Sequence, residues 1–326
     1  MTPLHFEELY QSEWLELESQ VKLILAGKRE TLEGVPIQGD RVAALYRRAC
    51  EHLALARARS YPRYLLDRLE KLTSDAHQVI YQRREFGLAR IKRAALYDFP
   101  RAVRAHAGYV WLSTVLFMVP TLLVGWLVYQ NPDLILSVVD ADTAAQFEEM
   151  YSDSATSIGA TRDANTDWTM FGYYIRNNIG ISFQCFAGGI FAGVGSIFFI
   201  IFNGVFGGAV AGYLTARGLS STFYSFVVTH SAFELTAIIL SGAAGLRLGH
   251  SLLAPGRNTR MQSLVLAARE SMVIVYGFVV MLLIAAAIEA FWSSQRWIPL
   301  PMKYSVAAVC WIGVLAYFTL QGRRAR

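Results

Sequence analysis

The sequence predicts an all-α, polytopic membrane protein with about six transmembrane helices and an amphipathic helical N-terminal domain. Of its 326 residues, 54% are hydrophobic and only 17% are charged. Charge is concentrated in residues 1–108, which hold 18 Lys+Arg and 14 Asp+Glu, against 12 and 11 in residues 109–326. The second part instead contains repeated apolar runs of about 20 residues, the length that a helix needs to cross a bilayer. These observations predict a cytoplasmic basic helical domain at 1–108 and a transmembrane domain at 109–326.

The N-terminal domain shows apolar residues at helical spacing. The first stripe comprises Phe6, Leu9, Trp14, Leu17, Val21 and Ile24, and Gly27 ends it. A second helix is expected over 40–59 and a third over 63–96, which together predict a helical hairpin or small bundle. The third ends in a cationic run of Arg83, Arg84, Arg90, Lys92, Arg93, Arg101 and Arg104. Because this run directly precedes a span, it favours anionic membrane lipid as its partner and argues against nucleic acid.

The first spanning segment is predicted at 109–129, with Pro120 kinking it. Residues 130–178 are polar and acidic, with eight Asp/Glu, and predict an outer loop. The next apolar stretch, 179–214, is longer than one crossing and is interrupted only at Asn203-Gly204. It predicts two helices folded at that dipeptide.

Three further spans are expected at 223–253, 271–291 and 304–320, which makes six crossings. Orientation follows from the Lys and Arg residues near the span ends. Those assigned to the cytoplasm, besides the cationic run, are Arg257, Arg260, Arg269, Arg323, Arg324 and Arg326. We therefore expect a multi-pass protein of the bacterial inner membrane with cytoplasmic N- and C-termini. Arg296 and Lys303 are expected in a short outer loop.

The fourth predicted span contains His230 and Glu234, which are four residues apart and share one helix face. Ionisable groups at membrane depth are costly, so a functional role is one interpretation: a proton relay, an ion or metal site, or an acid–base pair. The other is a polar clamp between helices, which the modest contribution of such contacts, roughly 0.6 to 2 kcal/mol, favours. The sequence leaves both open.

Other polar residues of the apolar half have simpler interpretations. Asn177 and Asn178 at the outer end of the second span are expected to cap it. Arg247 near an inner end is expected to extend its charge to water. Glu270 and Glu289, at opposite ends of the fifth span, are interpreted as interfacial charges.

No complete catalytic or metal-binding motif is present. The H-E-x-x-H pattern is missing, and Gly193-Val194-Gly195-Ser196 does not continue into G-x-S-x-G. The cysteines, Cys50, Cys185 and Cys310, are scattered, and two ligands do not make a zinc site. The sequence predicts that the protein is not an enzyme and has no cofactor and no metal.

Small residues recur at the four-residue spacing that lets helix backbones approach closely. They are Gly189, Gly193, Gly204, Gly208, Gly212, Gly245 and Gly249. Such faces predict packing within the chain or between two copies, and we expect a homodimer.

Several motifs together resemble the stage II sporulation protein M family. In the membrane half these are Asn177-Asn178, Asn203-Gly204 and Gly207-Gly208, His230-Ser-Ala-Phe-Glu234-Leu, and Gly242-Ala-Ala-Gly-Leu-Arg247-Leu-Gly249. Where members usually have His-Gly, this chain has His230-Ser231. Trp14-Leu-Glu-Leu and Leu45-Tyr-Arg-Arg look like the longer branch of the family, which carries a cytoplasmic helical domain.

The resemblance implies a membrane anchor or assembly subunit without catalysis, working with peptidoglycan hydrolases in spore formers. It also suggests a cytoplasmic partner such as an AAA-type ATPase. We therefore expect a non-enzymatic membrane scaffold linked to cell-envelope or peptidoglycan remodelling complexes. The alternatives are a transporter or channel using His230 and Glu234, and an intramembrane hydrolase, which would need a third ligand or nucleophile.

Overall fold

The computed structural model describes residues 1–25, 39–81, 88–152, 164–295 and 297–323, which form twelve α-helices and no β-strand. The all-α prediction is confirmed. The chain divides into two compact units, Met1–Ala89 and Arg90–Arg326.

The first unit is built from three amphipathic helices, α1 (Pro3–Leu25), α2 (Gly39–Ala58) and α3 (Arg63–Tyr81). They enclose a core whose largest buried members are Trp14, Phe6, Leu17, Leu65 and Leu69. Trp14 Nε1 donates a hydrogen bond to Nδ1 of the buried His52, 3.1 Å away, and so ties α1 to α2. The placement of Leu9 on the buried stripe was wrong: Leu9 is 51% exposed, and its neighbour Tyr10 packs against the core instead.

The second unit follows a short helix, α4 (Leu88–Arg93), and a π-helical turn at Ala94–Asp98. Its other helices are α5 (Phe99–Ala105), α6 (Ala107–Gln130), α7 (Ala141–Tyr151), α8 (Ala164–Ala187), α9 (Val194–Ala216), α10 (Ser220–Leu253), α11 (Arg260–Ile288) and α12 (Leu300–Leu320). A second π-helical turn, Glu289–Ser293, extends α11.

Five helical segments of the described residues are long and apolar enough to cross a membrane: α6, α9, α10, α11 with its π-helical turn, and α12. The sixth predicted crossing corresponds to α8. This helix has 24 residues and packs against α10, but it does not meet the same apolar criterion. The fold is therefore a polytopic helical membrane bundle, as predicted.

The predicted break at Asn203-Gly204 was wrong. Helix α9 continues through both residues, and Asn203 Nδ2 donates to the Phe199 carbonyl one turn earlier, at 2.8 Å. The chain reverses instead between α8 and α9, through a 3-10 turn at Gly188–Ile190. There Gly193 has φ 86°, a left-handed conformation that glycine adopts without steric cost.

The outer loop predicted at 130–178 is largely helical in the described residues. It contains a 3-10 helix (Pro132–Ser137), α7 and the beginning of α8, whereas residues 153–163 lie outside the description. Asp140 caps α7 by accepting from the Thr143 backbone N–H at 2.7 Å. Glu148 of α7 forms an ion pair with Arg217 at 3.0 Å and accepts a hydrogen bond from Tyr213, so α7 is fixed to the end of α9.

The segment before the first span packs into the bundle. The Phe99 ring occupies the space that a side chain at Gly277 would need, and Arg104 donates to the Phe318 carbonyl at 2.8 Å. Arg83 and Arg84 of the predicted cationic run lie outside the described residues.

Glycines determine how closely the spans approach. Added Cβ atoms at Gly204, Gly208 and Gly212 of α9 would overlap the backbone of α6 at Phe117, Thr121 and Gly125. The sequence offset is constant along this contact, so α6 and α9 run parallel.

The same relation holds between the end of α8 with its turn and α10. Gly189 meets the backbone of Gly245, and Gly249 meets that of Gly193, again at a constant offset. Helices α8 and α10 are therefore parallel and in register, which positions the polar residues described next.

Candidate functional site

The polar cluster of the bundle is formed by His230 and Glu234 on α10 and Glu289 on the π-helical turn after α11. One ligand atom from each of the three side chains lies within 4.8 Å of the other two. His230 is 4% exposed and Glu289 is 8% exposed, and Glu234 is half-buried. The site thus places two carboxylates and an imidazole inside the protein.

The predicted pairing of His230 and Glu234 on one helix face occurs, but it is loose. His230 Nε2 lies 3.8 Å from Glu234 Oε2, which is beyond hydrogen-bonding distance. The other ring nitrogen, Nδ1, is 3.1 Å from the hydroxyl of Ser293, on the same π-helical turn as Glu289. Helix α10 is therefore joined to this turn through the imidazole.

Glu289 was wrongly interpreted as an interfacial charge. Its side chain is buried, and its Oε2 has no hydrogen-bond partner. The π-helical turn widens the end of α11 by one residue, and Glu289, Ala290 and Ser293 are all buried there. Single π-helical turns within α-helices are often found at functional sites. The signal in the sequence was an isolated carboxylate within an apolar run, but its spacing from His230 could not reveal the contact.

Lys303 was also misplaced by the sequence analysis. It lies in the first turn of α12 rather than in an outer loop, is 5% exposed, and donates from Nζ to the Ser293 carbonyl at 2.9 Å. The hydroxyl of Thr229, beside His230, donates to the Lys303 carbonyl at 3.5 Å. Lys303 therefore fixes the π-helical turn from the side of α12. Arg296 lies outside the described residues.

Helix α8 contributes Asn178. Asn178 precedes Gly189 by as many residues as Glu234 precedes Gly245, so the parallel register of α8 and α10 brings Asn178 to the level of Glu234. Asn178 is 3% exposed; its Oδ1 accepts from Asn177 at 2.9 Å, and its Nδ2 has no hydrogen-bond partner. The predicted capping role was wrong for both asparagines, because α8 begins at Ala164 and they lie in its middle.

Tyr151, the last residue of α7, lies close to the cluster. Its ring packs edge-on against Phe226, one helical turn before His230. Burial raises the pKa of the Tyr151 phenol above its ordinary value of 10.0, and the nearby Glu289, Tyr174 and Glu234 raise it further. The phenol therefore stays protonated and uncharged beside the carboxylates.

The remaining predicted site residues lie elsewhere. Asn203 bonds within α9, as described above. Arg247 forms an ion pair with Glu270 of α11, near a hydrogen bond between Tyr109 and His250. These four residues line a small cavity of about 230 Å³ near the ends of α10 and α11 that are joined by the 254–259 loop.

All seven glycines predicted for helix packing make close contacts within this chain. They are Gly189, Gly193, Gly204, Gly208, Gly212, Gly245 and Gly249. The first of the two interpretations, packing within the chain, accounts for their spacing.

The fold and the buried polar cluster define a polytopic helical membrane protein with an ionisable site between its spans. The family model of stage II sporulation protein M matches residues 113–294, more than half of the chain and all three cluster residues. The chain therefore belongs to the stage II sporulation protein M family. A domain of unknown function, DUF8413, matches residues 5–82, the first unit. No curated protein and no solved structure gives a significant match.

Proposed function

We propose that this protein is a non-enzymatic integral membrane scaffold or assembly subunit. In this proposal the bundle anchors the protein in the bacterial inner membrane, and the N-terminal helical unit offers a surface to a cytoplasmic partner. The partner belongs to a cell-envelope or peptidoglycan remodelling complex, or is an ATPase that acts on one. Self-association as a homodimer stays a prediction, because the glycine contacts are made within one chain.

The observation that carries the proposal is the packing of backbone against backbone at two helix interfaces. On α9, Gly204, Gly208 and Gly212 leave no space for even a methyl group against α6. The contact of Gly189 with Gly245 fixes α8 against α10 in the same way. Alternating access requires helices or repeats that move against one another. Interfaces without intervening side chains favour a fixed platform.

The N-terminal unit has the features of a separate interaction module. It has its own hydrophobic core and a surface crossed by ion pairs between helices. Two of these join α1 to α2, Arg41 with Glu16 and Arg48 with Glu13, each at 2.8 Å. Arg47 and Arg63 are exposed on the same unit and are suited to contact an acidic partner surface.

The proposal is tested by crosslinking the tagged full-length chain in intact cells and quantifying the proteins that purify with it. We expect one protein at near-stoichiometric ratio, reduced at least fivefold by the double substitution Arg47→Glu and Arg63→Glu. The control is Arg257→Glu, a charge reversal in the exposed loop after α10, which should leave the ratio unchanged. Isolation of the chain without any stoichiometric partner, or equal effects of both variants, would contradict the proposal.

A second candidate function, ion-coupled transport, is favoured by one specific observation. Three ionisable side chains, His230, Glu234 and Glu289, meet inside the bundle. Ionisable residues within membrane spans often belong to ion or proton pathways. This function requires flux through the protein that depends on Glu234.

A further inference from the structure

We propose that His230, Glu234 and Glu289 bind a divalent transition metal ion, with zinc as the first candidate. Each residue offers one ligand atom, and the three atoms lie within 4.8 Å of one another. Imidazole nitrogen and carboxylate oxygen are ordinary zinc ligands, and three protein ligands with one open position are a known zinc arrangement. The inference goes beyond the scaffold function, because it assigns a bound ion to the interior of the bundle.

The spacing of the ligand atoms fits an ion between them. The 3.8 Å from His230 Nε2 to Glu234 Oε2 is too long for a hydrogen bond. A zinc ion binds nitrogen and oxygen ligands at about 2.0 to 2.2 Å, so one ion bridges atoms up to about 4.2 Å apart. The His230–Glu234 gap is within that reach.

The surroundings of the imidazole orient Nε2 as a ligand. We assign the ring proton to Nδ1, because the ring donates to the Phe226 backbone carbonyl and Nδ1 also meets the Ser293 hydroxyl at 3.1 Å. Nε2 then presents a lone pair towards the Glu234 carboxylate. Two acceptors that face each other need a positive charge between them, and a metal ion supplies it. Hydrogen bonding at the second ring nitrogen is typical of histidines that bind metals.

The third carboxylate supplies an independent observation. Glu289 is 8% exposed, and its Oε2 has no hydrogen-bond partner. A buried polar atom without a partner is costly, so its retention indicates a ligand. The other groups nearby do not occupy the position between the three ligand atoms. Lys303 directs its ammonium group to the Ser293 carbonyl, and Tyr151 is an uncharged phenol of the outer helix α7.

Such an ion would join α10 to the π-helical turn after α11 and would neutralise two neighbouring carboxylates. The unpartnered Asn178 Nδ2 at the level of Glu234 is suited to donate a hydrogen bond to a carboxylate ligand or to a water molecule on the ion. This is the usual way in which a second layer of residues orients metal ligands.

The test uses the full-length protein in detergent, carrying an affinity tag without histidine. The protein is stripped with a chelator, exchanged into metal-free buffer, and titrated with Co²⁺ and then with Zn²⁺. We expect visible d–d absorption bands of protein-bound Co²⁺, displacement by Zn²⁺, and about one zinc per chain by elemental analysis. Glu289→Gln should weaken zinc binding at least tenfold. The matched control, Glu270→Gln, changes a carboxyl of the same helix that pairs with Arg247 and should bind zinc like the unsubstituted protein.

The unsubstituted protein alone decides the outcome if a variant fails to fold. Absence of Co²⁺ bands and of retained zinc would overturn the inference and leave the cluster as carboxyl groups that share a proton. Zinc binding that Glu289→Gln leaves unchanged would also overturn it, because the ion would then bind elsewhere.

Discussion

Glu234 and Glu289, which belong to different helices, bring their carboxyl groups within 4.8 Å of one another inside the helix bundle. Neither has a basic side chain as a direct ion-pair partner among the ion pairs observed in the described residues, apart from the loose contact of Glu234 with His230. Two like charges so close in a medium of low dielectric constant repel strongly. The pair must therefore hold a proton or a cation, and its energy changes when one carboxylate is neutralised.

Neutralising one carboxylate should stabilise the protein when metal is absent. We expect Glu289→Gln to raise the thermal unfolding midpoint in a chelator by about 2 to 4 °C, which corresponds to roughly 1 kcal/mol for a unit of this size. The measurement is thermal unfolding of the detergent-solubilised protein with a thiol-reactive or intrinsic fluorescence signal. Glu270→Gln is the control and should not raise the midpoint, because it removes the ion pair with Arg247. A lower midpoint for Glu289→Gln in the chelator would contradict the repulsion.

The contact between α6 and α9 predicts a contrast between adjacent glycines. A methyl group at Gly208 would overlap the Thr121 carbonyl, whereas one at Gly207 meets nothing within 4 Å. We expect Gly208→Ala to destabilise the bundle by roughly 1 to 3 kcal/mol, the usual cost of overpacking, and Gly207→Ala to have little effect. The check is the thermal unfolding midpoint together with the fraction of monodisperse protein in gel filtration. Equal behaviour of the two variants would show that α6 and α9 do not approach as described.

The first unit should lose stability as the pH falls. Burial lowers the pKa of the His52 ring below its ordinary value of 6.5, and the ring accepts a hydrogen bond from Trp14. The unfolded chain therefore binds the proton at a higher pH than the folded chain does. Stability is fully present above about pH 6.5 and decreases as the pH drops from there towards the lowered pKa.

Hydrogen exchange of peptides from residues 1–25 and 39–81 in the full-length protein, corrected for intrinsic rates between pH 7.5 and 5.5, measures this loss. His52→Asn should abolish most of the pH dependence, because an amide does not titrate. The exposed His77 provides the control, and His77→Gln should preserve it. Retention of the full pH dependence in His52→Asn would contradict the assignment.

The direction of the helices predicts the sidedness of two loops. Since α8 is parallel to α10, it completes six passes, and residues near Asp142 and near Asn258 should lie on opposite sides of the membrane. In a protein without its native cysteines, Asp142→Cys should react with a membrane-impermeant maleimide in intact cells. Asn258→Cys should react only after permeabilisation. Labelling of both from outside would contradict the topology, including the prediction of cytoplasmic termini.

The sequence was sufficient to predict the helical class and most spans, because long apolar runs and amphipathic stripes report local burial. It failed where a position depended on another helix. The Asn203-Gly204 dipeptide resembles a break, yet Gly204 is needed for the close approach of α6. The pairing of His230 with Glu234 follows from helical periodicity, whereas Glu289 and Lys303 reach the site through a π-helical turn and the first turn of α12. Periodicity cannot reveal such contacts between distant segments.

The measurement that most directly tests the account is ion flux through the purified protein in liposomes. Vesicles that contain a pH-sensitive or a zinc-sensitive dye would be compared for the unsubstituted protein, Glu234→Gln and protein-free controls under an imposed gradient. The scaffold proposal predicts the same rate in all three, even if zinc binds at the cluster. A flux well above the protein-free rate that Glu234→Gln abolishes would contradict it and identify the protein as a transporter.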